Sequence, residues 1–221
     1  AVTGMAAVDY ANGQACFGTF LGAANSLWCL RLGPPSDALQ FAGWAVPRST
    51  IGDVDGSPVI RNGRVYVGTT AGLLWSVNAT NALDLYSHTP SGGSEPIKGF
   101  PFPDRGSNAL YFSTTTRVHA AVDNGPGNFV QKWAPTTGLT SPSPVLYWAA
   151  QNRVYVGLKS YGAGPGAWIY DIDAATGSAT PIQLELGLAI TVGAPSLDTG
   201  VAPVMLHAGS EAGVIYAVQV P

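Results

Sequence analysis

Few residues in this chain have the type and spacing to do chemistry. Asp53-Val54-Asp55-Gly56 offers two carboxylates one residue apart before a glycine, a pattern that can converge on a hard cation such as calcium. The further acidic ligands of a full loop do not follow, and capping of the turn into 57–60 explains the pair as well. Asp171 and Asp173 flank a strand end, where Asp173-Ala-Ala-Thr-Gly177 reads as a turn. His88, His119 and His207 share no ligand spacing. Asn78-Ala79-Thr80 matches a glycosylation acceptor but falls in another turn. Cys16 and Cys29 lack metal and haem spacings, and there is no serine elbow, phosphate loop or zinc helix. The expectation is a chain without catalytic residues or cofactor, with Asp53 and Asp55 the only weak metal candidates.

The elements that carry these residues form a repeat. In SPVIRNGRVYVGTTAGLLWSV, at 57–77, a short apolar strand meets a turn at Asn62-Gly63, an alternating strand meets a turn at Ala71-Gly72, and a third strand follows. Looser copies occur on both sides. Aligned on the small residue ending the second strand (Gly18, Gly68, Ser113, Gly157, Gly209), they are spaced by 50, 45, 44 and 52 residues. The third strand repeats independently, as Leu27-Trp28, Leu74-Trp75, Val118-His119, Ile169-Tyr170 and Ile215-Tyr216. Such periods predict an all-β fold, a β-propeller with five recognisable four-stranded blades near 5–47, 54–91, 97–137, 142–187 and 192–221. The last blade lacks its outer strand within the chain, and the whole reads as one domain. The first blade's outer strand is expected at 39–46.

This register also bears on the cysteines. The hairpin centred on Ala71 places Tyr66 opposite Ser76, and the alignment maps Cys16 and Cys29 onto those two positions. They are either a cross-strand disulfide or two buried free thiols, and the facing register favours the disulfide. Trp28, Trp75, Tyr170 and Tyr216 recur once per blade and are read as interblade packing, as are His119 and His207 at equivalent aromatic positions. Lys159-Ser-Tyr-Gly-Ala-Gly-Pro-Gly166 interrupts the fourth copy as a glycine-rich insertion, so Lys159, Tyr161 and Trp168 are the candidate recognition residues.

Composition narrows the function. Only 10% of the 221 residues are charged and the formal net charge is −3, which gives no basic patch for phosphates and argues against a nucleic-acid partner. No run of about 18 apolar residues spans a bilayer. The chain opens at Ala1-Val2-Thr3 without an initiator Met, which is read as the loss of a leader or a larger upstream region, so the ring is either an irregular five-bladed one or the C-terminal part of a larger one.

SPVIRNGRVYVGTTAGLLWSVNATNA and SPSPVLYWAAQNRVYVGLKS, with the later WIYDIDAATG, resemble the repeats of the pyrroloquinoline-quinone-like (PQQ-like) β-propeller family. The resemblance covers nearly the whole chain. It implies a propeller like those of quinone-dependent dehydrogenases, of an outer-membrane assembly lipoprotein, and of large extracellular bacterial proteins, which VDYANGQACFGTF and SLWCL resemble most. Quinone enzymes of the family would need about eight blades, a calcium ion, a catalytic aspartate and a vicinal cysteine pair, and no residue here matches that set. The expected function is therefore a non-catalytic extracellular or periplasmic module for protein binding or structural assembly at the bacterial cell surface. Its partner would be a protein, or an upstream segment, that completes the last blade. Two alternatives remain: an accessory domain of an extracellular electron-transfer system, docking a multihaem cytochrome, and a degenerate quinone dehydrogenase or glycan-binding propeller.

Overall fold

The structure, a computed structural model, describes residues 1–22, 24–33, 43–161, 164–186 and 190–220. Among the described residues, nineteen strands and one short helix follow in order. The first sheet contains β1 (Val2–Asp9), β2 (Gln14–Thr19), β3 (Asn25–Arg31) and β4 (Trp44–Pro47), and leads through α1 (Arg48–Ile51) into the second. The second contains β5 (Val59–Arg61), β6 (Arg64–Gly68), β7 (Leu74–Asn78) and β8 (Leu85–His88). The third contains β9 (Lys98–Pro103), β10 (Ala109–Ser113), β11 (Val118–Asp123) and β12 (Phe129–Gln131). The fourth contains β13 (Leu146–Trp148), β14 (Arg153–Tyr161), β15 (Gly164–Asp173) and β16 (Ala179–Leu186), and the fifth β17 (Ser196–Asp198), β18 (Met205–Gly209) and β19 (Ile215–Gln219). Each sheet pairs its strands in sequence order, antiparallel wherever the register is defined, and the fifth has three strands.

Turn chemistry builds these sheets locally. Asn62 and Gly63 both have positive φ, 48° and 72°, as a two-residue hairpin turn of the twist-matched kind demands, and Arg61 faces Arg64 across it. Strands β6 and β10 bury residues on both faces, so the second and third sheets are covered on both sides at these strands. The first strand of the fourth sheet begins at Leu146, three residues later than the Ser143-Pro-Val-Leu146 stretch suggests. Pro144 cannot donate to a ladder, and Ser143 uses its backbone N–H on the Gly157 carbonyl at 2.8 Å. Of the expected outer strand at 39–46, residues 39–42 lie outside the described residues, and β4 supplies the strand from Trp44.

The chain divides into two compact units, 1–101 with 123–130, and 102–122 with 131–221. The first has a core around Cys16, Leu27, Cys29, Val46, Val65 and Val77. The second has two clusters, one around Tyr111, Val154, Val156, Tyr170 and Ile172, the other around Tyr155, Ile169, Leu206 and Ala208. No helix of the described residues is long and apolar enough to cross a membrane.

Candidate functional site

The polar side chains with the strongest convergence lie where one sheet packs on the next. Asp123, at the end of β11, is buried and accepts hydrogen bonds from the Tyr66 hydroxyl (2.9 Å), the Ser76 hydroxyl (3.0 Å), the Tyr86 hydroxyl (2.8 Å) and the Gly125 N–H (2.9 Å). Burial, and after it the Asp123 charge, pushes the Tyr66 phenol far above its usual value, so it remains a donor. Arg64 backs this cluster, donating to the Ser76 hydroxyl at 2.9 Å, pairing with Asp84 at 2.5 Å and lying 4.4 Å from the Tyr86 ring centre. Phe129 closes it with edge-on contacts to Tyr66 and Tyr86.

The same register position does the same job elsewhere. Asp123 lies four residues beyond His119; Ala79 and Ala174 lie four beyond Trp75 and Tyr170. The Ala79 carbonyl accepts from Gln14 (2.7 Å) and the Trp44 indole N–H (2.9 Å), both of the preceding sheet. The Ala174 carbonyl accepts from the Tyr111 hydroxyl (3.4 Å) and the Trp133 indole N–H (3.2 Å). These are repeated ties between neighbouring sheets, and a side-chain carboxylate replaces a backbone carbonyl in one of them. Chemically they hold protons in place between neighbouring sheets.

Two cavities lie near these ties. One, of about 460 Å³, is lined by Asn12, Arg31, Trp44, Thr80, Asn81 and Leu83 among others. The other, of about 350 Å³, is lined by Phe102, Pro103, Arg105, Tyr147 and Ala149. Tyr147 stacks on Tyr111 at 4.8 Å, and Lys132 donates to the Tyr111 hydroxyl at 2.9 Å. Burial pushes the Lys132 ammonium down, against the opposing pull of Asp104 and Asp173. Sequence reading missed both cavities, because each is assembled from turns of two sheets that are far apart in the chain.

The singled-out residues fall as follows. Cys16 and Cys29 form a disulfide, opposite one another in β2 and β3. Asp53 pairs with Arg48 at 2.6 Å while Asp55 is exposed, so a cation at Asp53 would have to displace a guanidinium. Among the described residues no group of three or more His, Cys, Asp or Glu could hold a metal. Asp173 caps its turn through Ala175 N–H (3.0 Å) and Thr176 N–H (2.8 Å). Asp171 corrects the turn reading: it sits inside β15, buried, 3.4 Å from Arg153, and burial raises its pKa against that cation. Asn78 accepts from the Thr80 N–H at 2.9 Å, turn chemistry as expected.

His88 is buried against Phe129, its Nδ1 3.1 Å from the Phe129 carbonyl, and burial lowers its pKa. His119 stacks on Phe112 with ring centres 5.2 Å apart. His207 is only half-buried, unlike the packed role its repeat position suggests.

The insertion of the fourth sheet is not a loop at its described positions. The hairpin extends instead, with Ser160 opposite Pro165 and Tyr161 opposite Gly164, because the alternating polar and small residues let both strands continue. Lys159 is half-buried within β14, and the side chain of Tyr161 lies outside the described ones. Trp168 is no surface residue: it pairs with Leu158 and joins the buried cluster around Tyr111. Residues 162 and 163 of that stretch lie outside the described residues.

No family model matches the chain, and no curated protein does. Solved structures do. A quinohaemoprotein alcohol dehydrogenase from Pseudomonas putida HK5 is 15% identical with a TM-score of 0.66, over 98% of this chain and 40% of that one. A quinohaemoprotein alcohol dehydrogenase from Comamonas testosteroni is 15% identical with a TM-score of 0.65, over 99% and 41%. The Cps50 (Swd1) β-propeller domain from Myceliophteria thermophila is 14% identical with a TM-score of 0.63, over 95% and 68%. The chain thus has the β-propeller fold, of the kind found in the quinohaemoprotein dehydrogenases, and spans about two fifths of the length of those two enzymes. The expected likeness to quinone-type propellers holds at the level of fold.

Proposed function

We propose that this chain is a non-catalytic β-propeller module of an extracellular or periplasmic bacterial assembly, holding a protein partner through the free edge of its last sheet. One observation carries the reading. Four sheets end in a fourth strand, whereas the fifth ends at β19, which among the described residues pairs with β18 alone. An edge strand presents outward N–H and C=O groups that template an added strand. The disulfide supports an oxidising compartment. The engagement of Asp123, Tyr66 and Tyr86 in packing ties supports a structural role.

Native mass spectrometry of the protein isolated from its source, followed by denaturing analysis, tests this. The expected species is heavier than the 22.7 kDa chain and releases a companion on denaturation. In the complex, the amides of 215–219 exchange more slowly than in the chain alone. A species that flies at the bare mass, or a companion that leaves those amides unprotected, overturns the edge-binding reading.

A further inference from the structure

The open face of the fifth sheet differs from the equivalent face of every other sheet, and the difference is specific enough to name what covers it. On each sheet one face packs on the sheet that follows. Its central third-strand residue is Leu27, Leu74, Val118 or Ile169 in the first four sheets, each 0% exposed. The fifth has Ile215 at that position, 77% exposed. Directly opposite stands the small residue that ends the second strand. A Cβ on Gly18 would overlap Val54, one on Gly68 would overlap Ile97, and one on Gly157 would overlap the Gly193 carbonyl. Each overlapped residue belongs to the segment that leads into the following sheet. Ser113, the one non-glycine, uses its hydroxyl to reach the Ser143 carbonyl of the corresponding segment at 2.7 Å. A Cβ on Gly209 would meet nothing within 4 Å.

The third marker is the tie. Tyr66 and Tyr111 occupy one register position and donate to the residue four beyond the third-strand aromatic of the following sheet. In the fifth sheet this position is His207, half-buried and opposite the exposed Ala217. Bulk at Ile215, space at Gly209 and a hydrogen-bonding ring at His207 together repeat the pattern that elsewhere receives a sheet. An exposed isoleucine on an otherwise built contact face gains by being covered, because burial removes its apolar surface from water.

We propose that the face of Met205, His207, Gly209, Ile215, Ala217 and Gln219 seats a further four-stranded blade of the same repeat type, whose leading segment crosses Gly209 and which presents a carbonyl or carboxylate acceptor to His207. This rests on the reading of the chain as a structural module, and places the partner on the face of the last sheet as well as at its edge.

Diethyl pyrocarbonate labelling of His207, read by mass spectrometry, tests the proposal in the source-derived protein and in the 221-residue chain alone. Labelling is expected in the chain alone and lost in the source-derived species. Gly209→Val should leave the thermal midpoint of the isolated chain unchanged, since open space surrounds that position, yet abolish both the companion and the protection of His207. Ile215→Arg should do the same by placing a charge in the contact. A companion that binds while His207 still labels overturns the blade proposal and leaves the module reading standing. A source species at the bare mass of the chain overturns both. His207 already protected in the isolated chain, a companion that is a second copy of this chain, or a Gly209→Val protein that keeps its companion each overturns the blade proposal.

Discussion

At Asp123 three hydroxyls and a backbone amide meet one buried carboxylate, and this is how the protein keeps an acid inside without a cation directly on it. Tyr155 is the contrast. It occupies the register position of Tyr66 and Tyr111, is fully buried, and its hydroxyl has no hydrogen-bond partner among the described residues. Burial, with the Asp171 charge adding to it, pushes its pKa up to about 12. Because the folded value lies above the ordinary phenol value of about 10, its contribution to stability is complete below that pH and is lost as pH rises towards 12. Tyr155→Phe is therefore expected to be at least as stable as the parent at neutral pH, by up to about 1 kcal/mol, since it removes an unsatisfied buried group. It should also lose less stability between pH 10 and 12. Urea titrations at stepped alkaline pH check both, and a variant that is clearly less stable at neutral pH would show that the hydroxyl has a partner. The equivalence of these tyrosines is legible from repeat spacing. The acceptors of Tyr66 and Tyr111 are not, because each comes from the following sheet.

At the scale of elements, the β2–β3 hairpin carries a covalent tie at the place where the second sheet has Tyr66 and Ser76. The bridge closes a loop with a sequence separation of 13 residues. Constraint of the unfolded chain by a loop of that size stabilises by about 3 kcal/mol. Replacing both cysteines, Cys16→Ser with Cys29→Ser, is expected to lower stability by about that amount, as measured by denaturant unfolding under non-reducing conditions. Intact mass analysis of the parent should find no alkylatable thiol; a parent with two would remove the explanation. This pairing could be read from sequence because a hairpin's register follows from its turn. The extension of β14 to Tyr161 and of β15 back to Gly164 could not, since glycine-rich polar residues suit a loop and a continued ribbon equally.

For the molecule as a whole, the charge pattern speaks most directly to partners. Thirteen acidic residues outnumber ten basic ones. Several of the arginines are engaged, Arg48 with Asp53, Arg64 with Asp84 and Arg153 with Asp171. Too few cations remain to release counterions from a phosphate backbone, so fluorescence anisotropy of a labelled DNA duplex should stay flat to about 10 μM protein at about 0.15 M salt. Saturable binding under those conditions would reveal a basic surface that the count does not suggest. Under the proposed function, partner recognition falls to the fifth sheet, where Ile215 is exposed and β19 pairs with β18.

The sequence by itself determined five sheets, their strand order and the facing of Cys16 and Cys29, because turns such as Asn62-Gly63 and the period-two pattern act over a few residues. Only the tertiary structure decided that Asp123, at the end of its strand, is a hydrogen-bond hub, that Trp168 is core, and that Ile215 is exposed where Leu27, Leu74, Val118 and Ile169 are buried. The physical reason is the same in each case: burial and hydrogen-bond partnership belong to the neighbouring sheet, some 50 residues away, and no local pattern encodes what that neighbour presents.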